Sequence, residues 1–232
     1  MPQGYANPGL LVETDWLAER LGDPNLRLVD SGVRTGEPPR AERIPGAVSP
    51  PHHYIKSADD SRFVAGPDEA KAIFEALGIG DDTPVVAYDS ARSLNAARLW
   101  WVLRYYGHHN VRVLNGGFDK WAAEGRPVTT DRPAAVPPAS FTSAVNAAVL
   151  STADSLMAAV GDPSAAIWDT RSEAEFTGEN DRGNTRAGHV PGAAFLEWSD
   201  VMAEDGTFAP AECMRETLER IGITPDKTVH TY

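Results

Sequence analysis

A chain of 232 residues, 42% of them hydrophobic, has room for one large domain or two of about 100–120 residues each. No apolar run approaches the roughly 18 residues of a membrane span, so no membrane association is expected. The formal charge of −12 offers no basic face to phosphate backbones and excludes nucleic acid as a partner. A small anionic substrate would have to be held by local arginines and backbone N–H groups against the field of the whole protein.

In chain order, Met1-Pro2-Gln3-Gly4-Tyr5 has neither a basic nor an apolar leader pattern. The only cysteine, Cys213, excludes an internal disulfide framework and suits a reducing compartment, so the expected location is the cytoplasm. Thr14 is placed to cap a helix beginning Asp15-Trp16-Leu17. A Gly22-Asp23-Pro24 turn leads to an apolar strand over 26–29 that ends at Asp30. Ile44-Pro45-Gly46-Ala47 is a turn. A helix over 67–77 opens on Pro67, and a buried strand over 84–88 ends at Tyr88. A helix over 95–106, a strand over 111–114, the Asn115-Gly116-Gly117 turn and a helix over 118–124 with Trp121 facing inward complete the pattern. The stretch 126–140, carrying Pro127, Pro133, Pro137 and Pro138, is expected to be a semi-extended connection.

The same grammar then repeats. Gly161-Asp162-Pro163 repeats the first turn 139 positions on, and an aspartate, Asp30 or Asp169, stands six residues after each proline. Val190-Pro191-Gly192-Ala193 repeats Ile44-Pro45-Gly46-Ala47 at an offset of 146, while Gly222-Ile223 and Tyr232 repeat Gly78-Ile79 and Tyr88 at 144. The drift places an insertion at 178–184. Thr152 caps a helix over 153–160, a strand over 165–168 ends at Asp169, and a helix over 210–221 precedes a strand over 228–232. A period this long means duplicated domains rather than a solenoid. The expected fold class is α/β: two tandem domains, 9–130 and 144–232, joined by a linker over 131–143, each with a mostly parallel sheet flanked by helices. The second copy has no counterpart to residues after Tyr88. About 40 further residues are therefore expected, on a longer natural chain or as a bound C-terminal fragment.

The run from Tyr105 to Trp121, the paired Pro-Gly-Ala turns, Arg186-Ala187-Gly188-His189-Val190 before the second turn, and Asp169-Thr170-Arg171 together resemble the tandem-domain rhodanese family. The similarity is to thiosulfate and 3-mercaptopyruvate sulfurtransferases. It implies that the second domain moves a sulfane sulfur from a small anionic donor to cyanide or a thiol, including a thioredoxin-like acceptor, through a cysteine persulfide, with no cofactor. Thiosulfate is the preferred donor and 3-mercaptopyruvate the second. The cysteine would stand directly after Tyr232, on a loop whose N–H groups and following helix N-terminus favour a thiolate. Arg186, and secondarily Arg182, would bind the donor. Asp169 and Arg171 would support the loop. The equivalent of the nucleophile in the first domain is Asp89, which cannot accept sulfur, so the first domain is expected to be silent and residues 1–232 alone inactive.

Other candidates read differently. His189 is expected to be a turn histidine bonded to nearby backbone, and its first-copy match is Arg43. Cys213 aligns with Glu69 in mid-helix and is not the nucleophile. His108-His109 lacks ligand partners at metal spacing, and Gly116-Gly117 is no dinucleotide fingerprint. The alternative function is an inactive rhodanese-like module used for binding or regulation.

Overall fold

The computed structural model describes residues 4–33, 36–51, 55–60, 62–132 and 135–232. The chain divides into two compact units: Met1–Val149 with Glu204–Thr207, and Leu150–Ala203 with Phe208–Tyr232. Among the described residues no helix is long and apolar enough to cross a membrane.

In the first unit, β1 (Leu11–Val12), α1 (Thr14–Ala18), β2 (Arg27–Val33), α2 (Pro67–Ala76), β3 (Val85–Ser90), α3 (Leu94–Tyr105), β4 (Val111–Leu114) and α4 (Gly117–Ala123) follow one another. The four strands form an all-parallel sheet in the order β1-β4-β3-β2. Central β3 is buried along Val85-Val86-Ala87-Tyr88-Asp89, the continuous apolar reading of a parallel strand covered on both faces, with Asp89 the exception. Tyr88, Leu17, Ile44, Leu114 and Trp121 are fully buried in one core, where each large side chain stabilises by roughly 1.5–3 kcal/mol. The Trp121 Nε1–H donates to the Pro127 carbonyl at 2.8 Å, so its one polar atom is satisfied.

Three expectations change here. Thr14 is the first helical residue rather than the cap, and its hydroxyl donates to Glu124 instead. β2 and β3 run past Asp30 and Tyr88, to Val33 and Ser90. The stretch assigned to a linker and the start of the second domain continues the first unit through Val149. Phe141, 2% exposed, packs at 4.9 Å on Phe74. Its N–H donates to Glu75 Oε1 at 3.0 Å, and Lys71 Nζ donates to its carbonyl at 2.7 Å. One aromatic anchor with satisfied backbone turns a proline-rich connection into packed structure. Pro133 lies outside the described residues.

The second unit contains α5 (Ala153–Ala159), β5 (Ala165–Asp169), α6 (Glu173–Thr177), β6 (Ala194–Phe195), α7 (Ala211–Arg220) and β7 (Thr228–Thr231). Its parallel sheet has the order β6-β5-β7. Thr152 caps α5 as expected, with its Oγ1 accepting from Ser155 N–H at 3.1 Å. The buried strand expected at 228–232 is instead half open: among the described residues β7 pairs only with β5, and Thr228, Val229 and Thr231 are exposed. Its counterpart β3 has β2 on one side and β4 on the other.

Candidate functional site

Each unit has an aspartate on its first long strand, Asp30 within β2 and Asp169 at the end of β5, and each aspartate is locked in the same way. In the first unit the Tyr88 hydroxyl donates to Asp30 Oδ2 at 3.0 Å and accepts the Ile44 N–H at 3.1 Å. In the second, the Tyr232 hydroxyl bonds Asp169 and accepts the Val190 N–H at 2.9 Å. Ile44 and Val190 are the residues just before the two Pro-Gly-Ala turns. One phenol therefore ties together the aspartate's strand, a turn and the strand that contains Tyr88 or directly precedes Tyr232. Burial and the neighbouring Asp30 charge push the Tyr88 phenol up, so it remains a donor at every working pH.

The arginine that neutralises the aspartate comes from a different place in each unit. Asp30 is paired with Arg40, which also donates to Ser90 Oγ and lies 3.8 Å over the Phe118 ring. Asp169 is paired with Arg171, two residues on: Arg171 Nε donates at 2.9 Å and an NH2 group at 2.6 Å, in a bidentate fork. The Arg171 guanidinium also donates to the Gly188 carbonyl at 2.9 Å and lies 5.0 Å over the Tyr232 ring. Burial pushes the Asp169 carboxyl up, but the Arg171 side chain and N–H and the Tyr232 hydroxyl outweigh it and hold it below its ordinary value.

The inserted segment, 178–184, is tied back to α6 through Glu175. This buried carboxylate accepts from Ser172 Oγ at 2.8 Å and from Arg182 Nε at 2.9 Å. Asn180 N–H donates to the Ala174 carbonyl at 2.9 Å, and Arg182 takes a left-handed backbone with φ 52°. Arg182 is thus engaged, though its side chain is 67% exposed. Arg186 is exposed and makes no hydrogen bond or ion pair among the described residues. His189 stacks on Phe176 at 3.8 Å, and its Nδ1 lies 2.9 Å from the Phe176 carbonyl, in the turn setting expected of it.

The loop after β3 is formed around Asp89. Ala91 and Ser93 N–H donate to its Oδ1 at 2.9 Å each, and Asn95 and Ala96 N–H donate to its Oδ2 at 2.8 Å each. Asp89 is 1% exposed. Burial pushes its carboxyl up, and the four N–H bonds oppose that shift. Cys213 lies in the first turn of α7, not in mid-helix, and is free and exposed. His108 is buried against Phe141, and among the described residues no group of three or more His, Cys, Asp or Glu is placed to hold a metal.

Sequence reasoning had not singled out the two tyrosine locks, Arg40 or Glu175. The repeat contained the signal for Arg40, because the offset of 146 that maps Ile44 onto Val190 also maps Arg40 onto Arg186. Glu175 offered only a Ser-x-x-Glu capping pattern with Ser172.

The rhodanese-like domain family matches residues 13–124. A sulfur carrier protein of Thermus thermophilus is 35% identical over 244 residues, covering 99% of this chain and 84% of that protein. A thiosulfate sulfurtransferase of Pseudomonas aeruginosa is 33% identical, covering 98% of this chain and 83% of that protein. The crystal structure of the 3-mercaptopyruvate sulfotransferase SseA from Escherichia coli matches with a TM-score of 0.85 at 25% identity, over 96% of this chain and 87% of that one. Shared sequence over nearly the whole length, on a shared fold, means that the chain belongs to the rhodanese family of sulfurtransferases.

Proposed function

We propose that this protein carries sulfane sulfur from an anionic donor to a thiophilic acceptor, by way of a persulfide on a cysteine directly after Tyr232. The observation that carries this reading is the anchoring of Tyr232. Its hydroxyl is held by Asp169 and Val190 N–H, its N–H donates to the Trp168 carbonyl at 3.2 Å, and its carbonyl accepts from Thr170 N–H at 3.0 Å and Thr170 Oγ1 at 2.9 Å. A residue that follows starts from a fixed point, as Asp89 does after Tyr88.

The chemistry balances simply with thiosulfate as donor. The thiolate attacks the outer sulfur, the bond between the two sulfurs of thiosulfate breaks, and sulfite leaves with the electron pair. Cyanide or a thiolate, including that of a thioredoxin-like protein, then takes the outer sulfur and restores the thiolate. Arg186, uncommitted and exposed, is the contact for the donor's negative end. Arg182 can join it through the guanidinium nitrogens that Glu175 leaves open. Asp169 and Arg171 act through Tyr232, as supports. Thiosulfate is preferred over 3-mercaptopyruvate because its double charge suits an isolated guanidinium on an otherwise acidic protein. The single free thiol fits a reducing, cytoplasmic setting.

The second reading, a binding or regulatory module without turnover, draws support from Asp89, since one unit has no nucleophile. Reaction of the polypeptide extending past Tyr232 with thiosulfate, followed by peptide mass analysis, separates the two. Sulfur on the peptide directly after Tyr232, with thiocyanate formed on adding cyanide, is the expected result. Folded protein that acquires no sulfur there would leave the module reading in its place. Residues 1–232 alone should make no thiocyanate, and Cys213 should stay unmodified.

A further inference from the structure

Asp89 is an unusual acid for a silent domain. A carboxylate merely replacing a lost nucleophile would face solvent or find an arginine. Asp89 is instead buried, and it accepts from four backbone N–H groups at 2.8–2.9 Å, two on each oxygen. Converging N–H groups ahead of a helix start form an anion-binding concavity. Here the anion is already present. With both oxygens accepting, neither has room for a proton pointing toward a donor, so the ionised form is the one the loop accepts.

The loop is also held by contacts that do not involve the carboxylate. Asn95 Nδ2 donates to the Val33 carbonyl at 2.8 Å, tying the start of α3 to β2. The Asp89 backbone continues the β3 strand and abuts Gly117, where even a methyl group would overlap the Asp89 carbonyl oxygen. Arg92 and Ser93 both adopt left-handed backbone, with φ of 54° and 69°, a costly arrangement for residues with a Cβ.

We propose that the loop after β3 is an anion site whose resident ligand is the chain's own Asp89 carboxylate. The first unit is closed to external anions by self-occupation, not by loss of the site. The ligands it would accept in place of the side chain are a small oxyanion or a thiolate. This inference rests on the geometry of the first unit and does not depend on the sulfur chemistry proposed for the second.

The test removes the carboxylate. In Asp89→Gly, inorganic phosphate should raise the unfolding temperature saturably, by roughly 2–4 °C once it exceeds its Kd about fivefold. The comparison is with sodium chloride at equal ionic strength, after subtracting the shift of the unsubstituted protein, which reports general salting effects. A second variant, Asp89→Cys with Cys213→Ser, places the only thiol at position 89. Its alkylation rate should titrate below about 7.5, against roughly 8.5 for a free cysteine. A folded Asp89→Gly protein with no phosphate-specific shift would overturn the proposal. If that variant does not fold, the thiol decides: an ordinary or raised titration means that the loop has no cradle of its own.

Discussion

Arg40 and Arg186 stand at the same place in the two units, four residues before Ile44 and Val190, yet of the two only Arg40 is bound to its unit's aspartate, Asp30. The difference traces to the second residue after the aspartate. In the first unit this is Gly32, which offers Asp30 only its N–H. In the second it is Arg171, which offers both its N–H and a bidentate side chain, so Asp169 needs nothing from Arg186.

The two arginines should therefore respond oppositely to truncation. Arg40→Ala leaves a buried carboxylate without its counter-ion and should destabilise the first unit by about 3 kcal/mol or more, read from urea unfolding. Arg186→Ala should change stability by no more than about 0.5 kcal/mol. In the sulfur-transferring protein it should lower donor kcat/KM by roughly 10- to 100-fold, the value of one charge-assisted contact. Equal stability losses for the two would remove the distinction.

The tyrosine locks give a second contrast. Tyr88→Phe deletes a hydroxyl that satisfies both Asp30 and the Ile44 N–H in a fully buried setting, at an expected cost of about 1–3 kcal/mol. Tyr232→Phe removes the same pair of bonds where water has partial access, so its loss should be smaller. Chemical denaturation of both variants checks the order.

Much of this architecture was legible in the sequence because hydrophobic pattern and turn chemistry agree. The 111–114 strand is found where the apolar run places it, and α2 opens on Pro67 as a first-turn proline should. The two Pro-Gly-Ala turns fixed the repeat, and the repeat fixed Asp89 as the residue after the lock. Short elements escaped: β1 has two residues and α6 five, too few for any period to show. Partner choice escaped for a different reason. Whether Asp169 takes Arg171 or Arg186, and whether Arg182 meets a donor or Glu175, depends on how a loop closes in space. Phe141 was masked by the prolines around it, because one buried aromatic leaves no periodic trace.

Glu124 gives the protein an acid-sensitive limb. Partial burial raises its carboxyl, but bonds from Lys120, Thr14 and Arg126 outweigh that and bring it down to about 2. The unfolded value is near 4.3, so the folded state binds its proton more weakly. The stabilisation is complete above about pH 4.3 and is lost as pH falls through about 2. Because the side chain is 32% exposed, solvent screening limits the effect to about 1 kcal/mol or less. Urea midpoints measured from pH 5 to pH 2 should fall more steeply in the native sequence than in Glu124→Gln. Parallel curves would mean that the cluster contributes nothing.

Gly117 carries a constraint that the Gly-Gly turn alone did not reveal. Both Gly117 and Gly125 have left-handed backbone, with φ of 57° and 69°, so alanine at either should cost about 1–2 kcal/mol in conformation. Their surroundings differ. A Cβ at Gly125 meets nothing within 4 Å, whereas one at Gly117 would overlap the carbonyl oxygen of Asp89, backbone that cannot swing aside as a side chain would. Relief requires α4 to move away from β3, opening the packing of Phe118 and Trp121 against Tyr88. Gly117→Ala should therefore exceed Gly125→Ala by about 2 kcal/mol or more in unfolding free energy. It should also raise amide exchange in the loop at Ala91, Ser93, Asn95 and Ala96, whose N–H groups hold Asp89, while Gly125→Ala leaves those amides protected. Equal losses in the two variants, with the loop amides unchanged, would show that the contact between Gly117 and Asp89 does not constrain the cradle.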